Sequence, residues 1–200
     1  MIKIYGSLAS SAGRCFWTLE EVGTPYEVIN VDLRAGEQKT PEYLALNPNG
    51  KVPTLVDKDF VLFESYAIDW YLVSAYKPEM LGSSVHNQAL VHQWSFWSVF
   101  HVQKYFDIWM YFQLFQVGTA EVVEKAKEDV KKYMLILENH LDGKEYLVQE
   151  QFTLADLHVA SAVNIGVGLG YDMSPYPRVS AWLTKLKSRP AYVKLLEKKA

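Results

Sequence analysis

Apolar positions in the first 76 residues come in short runs whose period changes several times. Ile2-Lys3-Ile4-Tyr5 alternates apolar and polar positions as a half-buried strand does. Ala12 to Val22 then carries apolar residues at helical spacing, and Gly23 closes it as a helix-ending glycine. Tyr26 to Leu33 (YEVINVDL) returns to partial alternation, so the chain opens as a βαβ unit. Asn47-Pro48-Asn49-Gly50 is a cluster of breakers. Beyond it, VPTLV and FVLF flank the charged turn Asp57-Lys58-Asp59, a spacing that predicts a hairpin. Glu64-Ser65 opens a helix that runs to about Tyr76.

The pattern changes character near residue 77. KPEMLGSS reads as a linker, and every apolar period after it is helical. Val123, Ala126, Val130, Tyr133, Leu137 and Leu141 recur at helical spacing with charges between them, which is one amphipathic helix. Thr153-Leu154-Ala155-Asp156 matches a capping box and predicts a helix start. The stretch from about His92 to Gln116 is apolar almost all round and dense in aromatic rings. Trp94, Trp97, His101 and Tyr105 share one stripe of it, continuing to Ile108. The expected organisation is an α/β domain over 1–76, a linker over 77–85 and an all-helical domain over 86–200.

Composition narrows the chemistry. Half of the 200 residues are apolar and 22% are charged, which suits a folded chain with proper cores. Six Trp, thirteen Tyr and nine Phe exceed what a minimal core requires, so some rings are available to a binding surface. A net charge of −3 offers no basic footprint for nucleic acid. One cysteine excludes an intrachain disulfide and a cysteine-rich metal site, and no histidine or acid spacing resembles a metal-ligand set. No apolar run approaches the roughly 20 residues that span a bilayer, and Met1 leads directly into the strand pattern, so a cytoplasmic address is the expectation.

The candidate chemistry gathers in the first domain. Val52-Pro53 precedes a strand, where a cis bond would leave the Val52 N–H and C=O available to an extended peptide; the alternative is a proline that starts an edge strand. Glu64-Ser65 offers a carboxylate for an amine beside a hydroxyl and helix N–H groups for a carboxylate, or else is an ordinary helix cap with an acidic neighbour. Lys39 and Lys51 add cations near the same edge, and each alone reads as a solvated side chain. Between strand and helix, YGSLASSAGRC holds Ser7, Ser10, Ser11 and Cys15.

Taken in order, the strand, the serine loop, the helix, GEQK, NPNGKVPTL, the hairpin, FESYAI and a helical domain resemble the cytosolic glutathione transferases. The likeness is strongest to their serine-type, phi- or theta-like members, and FTLADLHVASAV and YPRVSAWLTKLKSRPAY extend it to the later helices. The resemblance implies a thioredoxin-like N-terminal domain (βαβαββα) and a helical C-terminal domain that completes an electrophile pocket, in a homodimer. Glutathione is the implied co-substrate, with no metal, nucleic acid or membrane involved. Val52 would pair its backbone with the tripeptide's cysteinyl unit beside Pro53. Glu64 and Ser65 would hold the γ-glutamyl head, and Lys39 and Lys51, with Gln38, the glycyl carboxylate. The residue that meets the sulfur stands four before an arginine of the first helix, which is Ser10 before Arg14.

A serine cannot take the thiol proton outright, so its expected work is to donate a hydrogen bond to the thiolate, aided by the helix N-terminus. Ser11 is the nearest rival for that role and the better candidate for a helix cap. Ser7 lies close to the strand, Tyr5 reads as packing, and Cys15 falls inside the helix as a buried residue without a resolving thiol. Gly13 and Gln38 depart from residues common in phi-like members, a small hydroxyl residue and a histidine. Trp94, Trp97, His101 and Tyr105 are the expected lining of an apolar electrophile pocket. The implied reaction is conjugation, with peroxide reduction, isomerisation or dehalogenation on the same thiolate as alternatives. A glutathione-transferase-like binding or regulatory module with little turnover is the alternative from another class.

Overall fold

A computed structural model describes residues 1–198, and its contacts divide the chain into two compact units. Met1–Pro78 form the first together with the segment that begins at Arg189; Glu79–Ser188 form the second.

The first unit is built on four strands: β1 (Ile2–Tyr5), β2 (Tyr26–Ile29), β3 (Thr54–Asp57) and β4 (Phe60–Phe63). They lie in the order β2-β1-β3-β4, with β1 and β2 parallel and the other pairs antiparallel. The alternation in β1 buries Ile2 and Ile4 on the helix-covered face. Helix α1 (Ala12–Val22) covers them with Cys15, Phe16 and Leu19, and α3 (Ser65–Tyr76) with Ile68, Leu72 and Val73. Gly23 ends α1 in the left-handed region at φ 71°, and its N–H bonds the Leu19 carbonyl. The hairpin expected around Asp57–Asp59 is β3–β4, in the register Thr54↔Phe63 to Asp57↔Phe60. A 3-10 turn (Glu37–Lys39) and α2 (Pro41–Leu46) fill the connection between β2 and β3. Alternation in YEVINVDL suggested a longer strand, but β2 ends at Ile29.

Helix α9 (Pro190–Glu197) packs on α1. The Trp17 ring meets Tyr192 edge-on with centroids 4.7 Å apart, and Arg189 grips both oxygens of Glu21 at 2.7 and 2.8 Å. Lys194 and Lys198 close on Glu20, whose side chain is 1% exposed. The sequence-based division at 86–200 assigned this helix to the helical domain; its contacts group it with the α/β unit.

The second unit comprises α4 (Val85–Ser98), a five-residue π-helical turn (Val99–Gln103), α5 (Lys104–Phe115), α6 (Ala120–His140), α7 (Leu154–Gly168) and α8 (Pro177–Lys187). The aromatic helix read from about His92 therefore begins earlier, at Val85, where Ser84 Oγ accepts the Asn87 N–H. It is also interrupted by the π turn. Of the α6 stripe, Val123, Ala126, Val130 and Leu137 are buried, as is Leu141 beyond its end. Asp156 completes the capping box of α7 and also accepts from the Leu147 N–H and the Trp182 indole. Glu138 of α6 performs the same service for α8, accepting from the N–H groups of Arg178 and Val179.

Candidate functional site

The connection from β1 to α1 is a tight serine turn. Ser10 Oγ donates to the Ser7 carbonyl at 2.7 Å and accepts the Ala12 N–H at 3.2 Å. Its hydroxyl oxygen thus sits at the N-terminus of α1, where the helix dipole favours an anion. Ser11 occupies the cap position but does not cap: its hydroxyl makes no bond to the helix and donates instead to the Val52 carbonyl at 2.9 Å. Two expectations are corrected here. Ser11 is not the helix cap, and the Val52 carbonyl is not free.

The Val52–Pro53 bond is cis. The residues before it are folded around Asn47, whose Oδ1 accepts the Asn49 N–H and whose Nδ2 donates to the Lys51 carbonyl at 2.7 Å. Buried Tyr43 donates its hydroxyl to the same carbonyl at 2.7 Å and meets Thr54 Oγ1 at 2.9 Å. Tyr43 and Asn47 were missed in the sequence, because a short helix and a breaker cluster give no signal of bonds to a carbonyl several residues on. Gly6 lies where the serine turn and the Val52 turn approach each other. A Cβ there would be 3.4 Å from Val52 Cβ, 3.6 Å from Ser10 Oγ and only 2.7 Å from Ala12 Cβ. The serine loop and the Val52–Pro53 turn are therefore neighbours.

Glu64 stands at φ 72°, ψ 111°, an expensive conformation for a residue with a Cβ, costing about 1–3 kcal/mol. Its side chain makes no cap bond and is exposed. That argues against the simple cap reading of Glu64-Ser65. Ser65, which begins α3, is buried, and its carbonyl accepts the Cys15 thiol at 3.5 Å, so the start of α3 is tied to α1. Burial pushes the Cys15 thiol well above its ordinary pKa and nearby Asp69 adds to the rise, leaving the group un-ionised. Arg14 lies over the Tyr66 ring at 4.5 Å. Lys39 Nζ reaches the Asn49 carbonyl at 3.5 Å, beside the exposed Lys51. Gln38 turns its amide to the Leu33 carbonyl at 3.3 Å instead.

In the second unit the four expected pocket rings face α6. His101 stacks on Tyr133 with centroids 4.8 Å apart, and Tyr105 stacks on the same ring at 5.9 Å. Trp97 meets Tyr133 edge-on at 6.3 Å, and Trp94 lies 4.5 Å from His140. The sequence places Tyr133 on the α6 stripe and gives no sign that it, or His140, is a partner of this cluster. Among the described residues no group of His, Cys, Asp and Glu could hold a metal, and no helix is long and apolar enough to cross a membrane.

Residues 2–74 match the glutathione S-transferase N-terminal domain family and residues 88–190 the glutathione S-transferase C-terminal domain family. The chain belongs to the glutathione S-transferase family. It is 33% identical to glutathione S-transferase F10 of Arabidopsis thaliana over 96% of this chain and 94% of that one. It is 35% identical to the probable glutathione S-transferase GSTF2 of Oryza sativa subsp. japonica, over 97% and 95%. Among solved structures, poplar glutathione transferase F1 superposes with a TM-score of 0.91 at 29% identity, covering 100% of this chain and 99% of that one. A glutathione transferase of Phanerochaete chrysosporium in complex with oxidized glutathione superposes at 0.90 with 28% identity, covering 98% and 95%. The α/β unit is the family's thioredoxin-like domain, and the helices that follow are its C-terminal domain.

Proposed function

We propose that this glutathione transferase binds glutathione along the Val52 turn and presents its thiolate, held by Ser10, to an apolar electrophile. One observation carries the reading: the Ser10 hydroxyl, at the N-terminus of α1, lies beside the Val52–Pro53 turn. A tripeptide paired with the Val52 backbone would bring its cysteine to that hydroxyl. The strained, exposed Glu64 at the start of α3 supplies a carboxylate for the ligand's ammonium, with the Ser65 hydroxyl beside it. Lys39 and Lys51 take the glycyl carboxylate. Gln38, with its amide turned to Leu33, contributes less. Of the aromatic stripe, the half-buried rings of Trp97, His101 and Tyr105 around Tyr133 are the apolar surface for the electrophile, whereas Trp94 is buried against His140; the reaction is conjugation.

The names of the relatives support a transferase over a binding or regulatory module. A homodimer accounts for the exposed apolar side chains Phe96, Phe100, Tyr111, Leu114 and Phe115 on α4 to α5, and sedimentation at micromolar concentration should give about twice the chain mass. The single buried cysteine suits a cytosolic setting. The deciding experiment is retention on immobilised glutathione together with turnover of an aryl halide electrophile. Retention without turnover would favour the regulatory module, and failure of both would remove the reading.

A further inference from the structure

Ser11 is spent in an unusual way. At the cap position of a helix, a serine ordinarily accepts an N–H of the first turn. Ser11 has helical dihedrals of φ −59° and ψ −12° and sends its hydroxyl to the Val52 carbonyl, 41 positions away in sequence. The adjacent Lys51 carbonyl is already fixed by Tyr43 and Asn47, both from the segment that leads into the turn. Ser11 is different, because it belongs to the serine loop itself.

We propose that Ser11 is a positioning residue for glutathione, locking the Val52 edge in register with Ser10. This rests on the reading that Val52 pairs with the tripeptide and that Ser10 meets its sulfur. The two contacts fall on one cysteinyl unit, so they must be held at a fixed separation. Ser10 and Ser11 are consecutive, and a 2.9 Å bond from the second to Val52 sets that separation. A carbonyl oxygen has two lone pairs, so Val52 can keep the Ser11 bond and still accept an N–H from the ligand. Ser11 moves no proton and touches no reacting atom. Its loss would leave the Val52 edge to be ordered at the ligand's expense, which weakens binding and spares the chemical step.

The test compares Ser11→Ala, Ser11→Thr and Glu64→Gln in the full chain. The measurements are calorimetric affinity for glutathione, KM and kcat, and the ultraviolet titration of the bound thiol. Ser11→Ala should raise Kd and KM for glutathione about fivefold, the worth of one net hydrogen bond, with kcat changed less than about twofold. The thiol titration should not move. Ser11→Thr keeps the hydroxyl at an exposed position and should restore the parent's affinity. An unchanged or lowered KM in Ser11→Ala would overturn the proposal, as would a loss in the threonine variant as large as in alanine. A shifted titration in Ser11→Ala would also overturn it, by putting Ser11 on the sulfur itself. Glu64→Gln separates this inference from the one beneath it. Weakened binding in Glu64→Gln with none in Ser11→Ala removes only the Ser11 role, whereas a parent protein that does not bind glutathione removes both.

Discussion

Replacing Ser10 by alanine should raise the pKa of bound glutathione by about one unit, and the hydrogen bonds that the Ser10 hydroxyl makes set that figure. The Ser10 hydroxyl proton is already engaged, on the Ser7 carbonyl at 2.7 Å. To serve a thiolate it must turn away, exchanging a neutral bond worth about 0.5–1.5 kcal/mol for a charge-assisted one worth about 1.5–3 kcal/mol. The net gain is therefore about 1–1.5 kcal/mol, equivalent to about 0.7–1.1 pKa units. The Ala12 N–H bond to the same oxygen need not break during the turn, and it makes the hydroxyl a better donor. A thiol brought from about 8.5 to about 6.5 would need roughly 2.7 kcal/mol, so serine supplies about half and the α1 N-terminus the rest. Turnover at pH 7 should fall about two- to fourfold, following the thiolate fraction, which drops from about three-quarters to between about a fifth and two-fifths. Glutathione affinity should change much less, because the two ends of the ligand are held elsewhere. The assay is thiolate absorbance of bound glutathione against pH in the parent and in Ser10→Ala. If the curves coincide, Ser10 does not hold the sulfur, and the reasoning from the serine turn is wrong.

Two further predictions concern stability. Gly166→Ala would place a Cβ inside the ring of buried Phe106, 2.7 Å from Cε2 and closer still to Cζ and Cε1. Contacts this close put the overpacking cost near the upper end of about 1–3 kcal/mol, so against about 1 kcal/mol of better helix propensity the net loss is about 2 kcal/mol, and a urea midpoint equal to the parent's would refute it. Burial opposes ionisation of Glu20, but hydrogen bonds from Lys194, Lys198 and Tyr26 outweigh it and hold its pKa down at about 2. A depressed acid stabilises the fold above its unfolded pKa of about 4.5 and loses that contribution as pH falls towards 2. Because the lysines are partly exposed, Glu20→Gln should cost about 1–2 kcal/mol at pH 7 after allowance for solvent screening. The gap from the parent should shrink steadily below pH 4.5, and a gap independent of pH would exclude the ionic clasp.

Local signals were legible in the sequence because a few adjacent residues decide them. The ends of α1, the β3–β4 hairpin and the capping box of α7 all follow from periodicity, turn residues or a four-residue motif. Helix α2, six residues long, is too short to show a period, and came only with the family resemblance. What stayed hidden depends on contacts between distant segments. The Ser11 hydroxyl had two local uses on paper, and a carbonyl 41 residues away took it instead. Helix α9 reads as one more amphipathic segment, and nothing within it announces that Glu20 and Glu21 of α1 will receive its basic side chains. The candidate site was legible as a set of residue types. Its supports, Tyr43 and Asn47, were not, since their worth lies in the carbonyl they fix.

The π turn between α4 and α5 bears on how this chain can change length. In an α-helix a residue four places on is advanced by about 40° around the axis, and the wider π turn takes up that advance. Trp97, His101 and Tyr105, spaced by four, consequently all meet the single ring of Tyr133. The π turn holds one residue more than the α turn it replaces, so deleting one residue from 99–103 would let α4 and α5 run on as one regular helix with little change in the facing of what lies beyond. Tyr105 would keep facing Tyr133 and Phe106 the notch at Gly166 that receives its ring, whereas a deletion within α4 itself would turn both away by about 100°. The turn thus stores one residue in the helix without swinging its far end, and it is the point between α4 and α5 where the chain can lose a residue with least disturbance to the packing beyond.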